Sequence, residues 1–288
     1  MRFAKQFHSL SIGICLEVPN IVPRKEIMKT FLQSVQFKSV SLKRLVNADL
    51  IMPLNLDKSK KYPLLILNDG QDMLPMKMKH ILEQVWTKKI SRPFILVAPH
   101  TNNRMNEYGV ANYPDFKQRG KLASNYSRFI TNELLGQIKH QLAVEEFEEI
   151  AIGGFSLGGL SAFDIAWNHS EIFSKVGVCS GSFWWRRKDL RHGYTDADRI
   201  MHDVVRNGNG KPSLKIWLQC GTLDETADRN NNGIIDCIDD TLDLIRELEL
   251  KGFQKGDNLF YNEVIGGRHT LETYGILLPY FFNWAFGN

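Results

Sequence analysis

The sequence predicts an α/β fold with a mostly parallel central sheet, an antiparallel N-terminal hairpin and helices on both faces. Three observations carry that prediction. Residues 62–67 and 94–98 are continuous apolar runs, the pattern of strands buried on both faces. Stretches with helical spacing follow them at residues 76–88 and 126–142, so strand and helix alternate along the chain. Residues 148–164, EEIAIGGFSLGGLSAFD, compress the same alternation into strand, sharp turn and helix.

Taken in order, residues 1–35 carry the least pattern and are set apart as a peripheral extension, with a short amphipathic helix at 25–33. Residues 36–288 are expected to form one domain. Within it, residues 40–46 alternate as a strand and 48–53 read as its hairpin partner. After a charged turn at 58–61, the strand at 62–67 ends in Asn68-Asp69-Gly70-Gln71-Asp72. The helix at 76–88 puts Ile81, Leu82, Val85 and Trp86 on one side. Residues 99–118 form a long irregular loop, and such loops inside compact domains are usually functional. Phe129, Ile130, Leu134, Leu135 and Ile138 form the inner face of the helix at 126–142. Residues 173–179, 214–220 and 259–264 are three more strands, and 239–251 and 274–286 are helices with apolar faces. A sheet of this kind places ligands at the carboxyl ends of its strands.

Composition narrows the partners. Of the 288 residues 43% are apolar and 24% charged, the proportions of an ordinary globular protein. The net charge of +4 is slight for this length, and no Lys/Arg cluster alternates with aromatics, so nothing points to nucleic acid. No run of about 18 apolar residues exists to span a membrane as a helix. Arg2 and Lys5 before the apolar residues 10–16 imitate a secretory signal poorly, because the run is short and no small-x-small cleavage site follows. A cytoplasmic setting is therefore expected. Cys15, Cys179, Cys220 and Cys237 show no C-x-x-C pairing and are read as reduced thiols rather than disulfides.

The chemistry is expected to begin at Ser156. In Gly154-Phe155-Ser156-Leu157-Gly158 the serine sits between a strand and a helix, on a turn that pushes its hydroxyl into the open. The first helical N–H groups, Leu157 among them, favour negative charge beside it and supply half of an oxyanion hole. A serine hydroxyl is protonated at neutral pH and needs a base. Of eight histidines, His269 follows a strand on Gly266-Gly267-Arg268 at the edge expected for Ser156, with His100 as its competitor. An acid should leave a strand between them. Gly221-Thr222-Leu223-Asp224-Glu225 supplies Asp224, with Glu225 in reserve, to orient the imidazole. The loop after the strand at 62–67 provides the second oxyanion donor, taken as the Gln71 N–H.

Together, Asn68-Asp69-Gly70-Gln71, Asn103-Arg104-Met105-Asn106-Glu107-Tyr108, Gly154 to Gly159, Ser180-Gly181-Ser182-Phe183-Trp184-Trp185, Gly221 to Asp224 and Gly267-Arg268-His269 resemble the “Putative esterase” family. That family includes enterochelin, feruloyl and acetyl-xylan esterases and S-formylglutathione hydrolase. The resemblance covers about residues 36–286 and implies an α/β-hydrolase fold, a Ser156, Asp224, His269 triad, and a small-molecule ester as substrate. Catalysis of that kind needs no cofactor. Arg104, Glu107, Tyr108, Trp184 and Trp185 would then surround the acyl or leaving group, although an Arg104–Glu107 ion pair stapling the loop explains those two equally well. A sugar or aryl ester is the expected substrate. Acyl transfer to an alcohol, and a calcium-dependent binding protein with a vestigial site, are the rival readings.

Residues 228–239, DRNNNGIIDCID, match a calcium loop at each keyed position. Ligands would come from Asp228, Asn230, Asn232, the Ile234 carbonyl, Asp236 and Asp239, with Gly233 at the sharp turn. The closing Asp resembles the dockerin form of the loop. A structural calcium ion is expected there, holding the segment after Asp224.

Overall fold

The computed structural model of the protein describes residues 27–287. Eight strands form one sheet in the order β1-β2-β4-β3-β5-β6-β7-β8. A hairpin of β1 (Thr30–Ser39) and β2 (Arg44–Pro53) leads to β3 (Leu64–Leu67), then helix α1 (Met78–Thr87) and β4 (Ile95–Pro99). β2 pairs antiparallel with β4, and the six strands from β4 to β8 pair in parallel. A short helix α2 (Arg104–Glu107) interrupts the long loop. Next come α3 (Ala123–Arg128) and α4 (Leu135–Leu142), joined through π-helical turns at Phe129–Leu134. β5 (Ile150–Phe155), α5 (Ser156–Asn168) and β6 (Lys175–Cys179) follow. The chain ends with α6 (Ile200–Asn207), β7 (Lys215–Leu223), α7 (Asp236–Leu250), β8 (Leu259–Arg268) and α8 (Leu271–Phe286).

The apolar strands are continuous because each face of the sheet has its own core. Leu64 and Ile66 join the core built with α3 to α7, whereas Leu65 and Leu67 join the core built with α1 and α8. Alternate residues of one strand thus serve opposite faces, and no polar alternation survives. No helix among the described residues is long and apolar enough to cross a membrane.

Three expectations are corrected here. The hairpin forms, but its turn lies at residues 40–43 instead of 47, so the first strand comes earlier. Glu133, far along the chain, holds that turn by accepting the Val40 and Ser41 N–H groups at 3.0 and 2.9 Å. Residues 30–33 are strand rather than helix, and residues 30–35 belong to the sheet. Their side chains are mostly exposed on the edge strand, which removes the alternation that marks a half-buried strand. Gly266-Gly267-Arg268 is not a loop but the last part of β8. The signal-like residues 1–26 and Cys15 lie outside the described residues.

Candidate active site

Ser156 stands at the junction of β5 and α5 with φ at +53°, a left-handed conformation that a residue bearing a Cβ adopts only when its surroundings impose it. Those surroundings are tight. A Cβ on Gly158 would come within 2.5 Å of Asp69 Oδ2, and one on Gly154 would collide with the Gly158 backbone. Only glycine at both places lets strand and helix approach closely enough to hold the elbow. The Ser156 hydroxyl lies 3.3 Å from the hydroxyl of Ser182, whose N–H donates to the Ser156 carbonyl at 3.1 Å.

The β3 end is locked against this elbow. Asp69 is buried and left-handed at φ +65°. Its carboxylate accepts Arg104 Nε and Nη2 at 2.9 and 3.1 Å, and the Gln71 Nε2 donor at 2.8 Å. Arg104 Nη2 also donates to the Phe155 carbonyl at 3.1 Å, joining the β3 loop to the residue before Ser156. The turn Gly70–Asp72 thereby carries the Gln71 backbone at the same rim, and Leu157 occupies the first turn of α5. Asp69, which the sequence reading passed over, is the organising residue. The signal it leaves in the sequence is an aspartate beside glycine at the end of the apolar run at 62–67.

Asp224 and His269 leave neighbouring strand ends. β7 and β8 run in register up to Val264, then a bulge between Gly221 and Leu223 resets it so that Leu223 pairs with Arg268, one residue short of both. Asp224 Oδ2 accepts the Gly221 N–H at 2.8 Å, and its Oδ1 is buried with no hydrogen-bond partner. The His269 ring packs edge-on against Tyr274 at 5.7 Å, and Tyr274 stacks on Phe155 at 4.7 Å. A single aromatic ring thus separates the imidazole from the strand end that carries Ser156. Although exposed at the rim, His269 is lowered from its ordinary value by desolvation, with Asp224 raising it and Arg104 lowering it. Among the described residues no hydrogen bond joins His269 to Ser156 or to Asp224.

The alternatives are occupied elsewhere. His100 faces Asp49 of β2 at 3.4 Å. Glu225 accepts the Cys237 N–H at 2.6 Å and so caps the start of α7.

The loop residues divide unequally. Arg104 reaches the rim, but the Arg104–Glu107 pair does not form. Glu107 is buried and bound to Arg44 Nε and Nη2 at 3.1 and 2.7 Å. Tyr108 is enclosed, with its hydroxyl accepting the Asp69 N–H at 2.9 Å and its ring edge-on to Tyr126. These two support the site from behind instead of lining it, because each polar atom is already satisfied inside the protein. Trp185 is likewise core, donating Nε1–H to the Tyr113 carbonyl at 3.0 Å, while its neighbour Trp184 is half-buried beneath the Arg119 guanidinium.

In the 228–239 loop, Asp239 Oδ2 accepts the side-chain amides of Asn230 and Asn232, each at 2.8 Å. Asp228 accepts the Asn232 and Gly233 N–H groups at 3.1 and 2.9 Å. Asp228, Asn230, Asn232 and Asp239 are thus joined in one hydrogen-bonded loop, in which both amides present nitrogen to Asp239 while their oxygens accept the Asn232 and Ile234 N–H groups. Asp236 is instead engaged by Arg229, through its N–H at 2.9 Å and Nη1 at 3.1 Å. The Ile234 N–H donates to Asn232 Oδ1 at 2.8 Å, which closes the turn.

Comparison with known proteins agrees with this architecture. A ferulic acid esterase superposes with a TM-score of 0.67 at 16% identity, over 90% of this chain and 98% of that one. The enterochelin esterase of Shigella flexneri gives 0.67 at 19% identity, over 91% of this chain but 59% of that one. An uncharacterised protein of Bacillus subtilis, YbbA, is 26% identical over 174 residues, which are 59% of this chain and 66% of that protein. Both structural likenesses bear on the fold alone. The family model described as “Putative esterase” matches residues 39–281, from the end of β1 to within α8, and on that match the chain belongs to this esterase family of α/β-hydrolase fold.

Proposed function

We propose that the protein is a serine carboxylic-ester hydrolase working through an acyl-enzyme. The observation that carries this reading is the strained left-handed Ser156 at the strand–helix elbow, held there by Gly154, Gly158 and the Asp69–Arg104 pair. Ser156 Oγ attacks the ester carbonyl carbon as His269 takes its proton. The negative oxygen then rests against the N–H groups of Leu157 and Gln71. His269 returns the proton to the leaving alcohol, and water repeats the sequence to release the acid. Asp224 orients the imidazole, and its partnerless Oδ1 supports that role, since a buried carboxylate oxygen calls for a donor.

For the substrate we take a sugar or aryl ester, with Trp184 and Arg104 at the pocket edge. In support, similar folds include proteins named ferulic acid esterase and enterochelin esterase. Turnover of p-nitrophenyl acetate, with and without Ser156→Ala, tests the reaction. A fall of about 10⁴-fold or more is expected, and equal rates would refute it. Acetyl, feruloyl and thioester substrates compared at equal concentration then fix the acyl group. In the 228–239 loop Asp228, Asn230, Asn232 and Asp239 are proposed to hold a structural calcium ion, which would neutralise the two carboxylates and stiffen the segment after Asp224.

A further inference from the structure

Behind Asp224 lies a group of side chains that ester hydrolysis does not use. Cys220 on β7 and Cys237 in the first turn of α7 bring their sulfurs to 3.7 Å, and Cys237 Sγ stands 3.6 Å from Asp224 Oδ2. One donor atom from each of the three residues lies within 4.8 Å of the other two. Both thiols are free and buried. Asp224 Oδ1 is buried with no partner, so its carboxylate retains unused acceptor capacity.

These spans match a chelate. A tetrahedral zinc ion bonded at about 2.3 Å to sulfur and about 2.1 Å to oxygen holds two sulfurs about 3.8 Å apart, and a sulfur about 3.6 Å from the oxygen. Simple contact between two thiols gives a similar sulfur–sulfur distance. An S–H···O hydrogen bond from Cys237 to Asp224 likewise gives 3.6 Å; what a chelate needs besides is three donors gathered around one point, and here one donor atom from each residue lies within 4.8 Å of the other two. We propose that Cys220, Cys237 and Asp224 form a site for a soft divalent cation such as Zn²⁺, and that filling it silences the esterase site.

The silencing rests on the reading of Asp224 as the triad acid; the binding does not. Two S–H bonds give way to two sulfur–metal bonds, two protons leave to solvent, Asp224 contributes a carboxylate oxygen, and water completes the fourth position. The 228–239 loop is a separate site. Its donors are oxygens, suited to a hard ion, and Cys237 falls at an unkeyed position of it. An ion on Asp224 would draw the carboxylate away from His269 and place positive charge beside the group that must become an imidazolium.

Cadmium tests the binding directly, because its bonds to thiolates absorb in the ultraviolet. Titrating the full chain with Cd²⁺ should raise a charge-transfer band that saturates at one equivalent and that Zn²⁺ displaces. Cys237→Ala and Cys220→Ser should each diminish the band. Ser156→Ala, inactive on esters, should keep it, which separates failure of the site from failure of the hydrolase reading. Zn²⁺ at saturation should lower ester turnover by about 10⁴-fold, as loss of a triad acid does, and EDTA should restore it. No band with excess Cd²⁺, or an undiminished band in Cys237→Ala, overturns the site. A full band with unchanged turnover overturns its link to Asp224.

Discussion

Arg104→Met should destabilise the protein by about 3 kcal/mol, and by more than Asp69→Asn does at the other end of the same ion pair. Asp69 keeps 1% of its side chain exposed and takes two bonds from Arg104, at 2.9 and 3.1 Å. Removing the guanidinium leaves that carboxylate with the Gln71 amide at 2.8 Å as its one remaining side-chain donor. Stripping one partner from a buried pair costs about 3 to 5 kcal/mol, and the 34% exposure of Arg104 lets water soften the loss toward the lower figure. Asn at position 69 keeps the shape and tolerates the left-handed backbone, and the cation it leaves has a path to solvent, so its cost is about 1 kcal/mol. For 288 residues an unfolding entropy of about 2.1 cal/mol/K per residue converts 3 kcal/mol into a melting shift of about 5 °C. Urea and thermal melts of both single variants and the double variant provide the assay, with the double expected near Asp69→Asn alone. A loss in Asp69→Asn equal to or above that in Arg104→Met would refute the reasoning. The same substitution removes a positive charge that lowers His269, so the acid limb of the kcat/KM profile should move to higher pH.

Burial pushes Asp164 on α5 up to about 7 from an ordinary 3.8, so between those pH values the folded state holds a proton that the unfolded chain has lost. Stability should therefore fall with rising pH across that window, by up to about 1.4 kcal/mol per pH unit, and level off above it. Asp164→Asn should flatten this slope in urea melts at pH 5, 6 and 8. Glu107→Gln should cost about 2 kcal/mol of stability through its bonds to Arg44 while leaving KM for the ester unchanged, because its carboxylate lies inside the protein. Calcium at ten times its dissociation constant should raise stability by about 1.4 kcal/mol, and Asp239→Asn should abolish that gain; an unmoved melting curve at millimolar calcium would refute the loop as a metal site.

Local chemistry was legible in the sequence, and distant pairing was not. The strand–elbow–helix around Ser156 follows from seventeen consecutive residues, so pattern alone located it. The β1–β2 turn was misplaced because a glutamate about ninety residues away fixes it. Arg104 and Glu107 are one turn apart on α2 and read naturally as each other's partner. In the fold they point apart, one to Asp69 beside the elbow and the other to Arg44 on β2. Trp184 and Trp185 are chemically identical neighbours, and nothing in their order says that the second enters the core while the first stays half-buried. Gly266 and Gly267 read as loop because glycine weakens a strand pattern, yet β8 passes through them alongside the Gly221–Leu223 bulge.

The separation of His269 from Asp224 bears on how the site would work. Asp224 is fixed from behind by the Gly221 N–H, and its free Oδ1 keeps it short of full satisfaction. His269 sits past the end of β8 at the exposed rim, its ring edge-on to Tyr274. Water at the rim weakens the attraction between an imidazole N–H and the carboxylate, so the unliganded protein gains little by closing that bond. An ester seated over Ser156 would shield the rim from solvent and lower the local dielectric, strengthening the pull of Asp224 on the ring just as a base is needed. Catalytic hydrogen bonds that are long in a free enzyme and tighten around substrate follow the same physics. On this reading the strained serine and the buried Asp69–Arg104 pair are the fixed half of the site, and the histidine arm is the half that substrate completes.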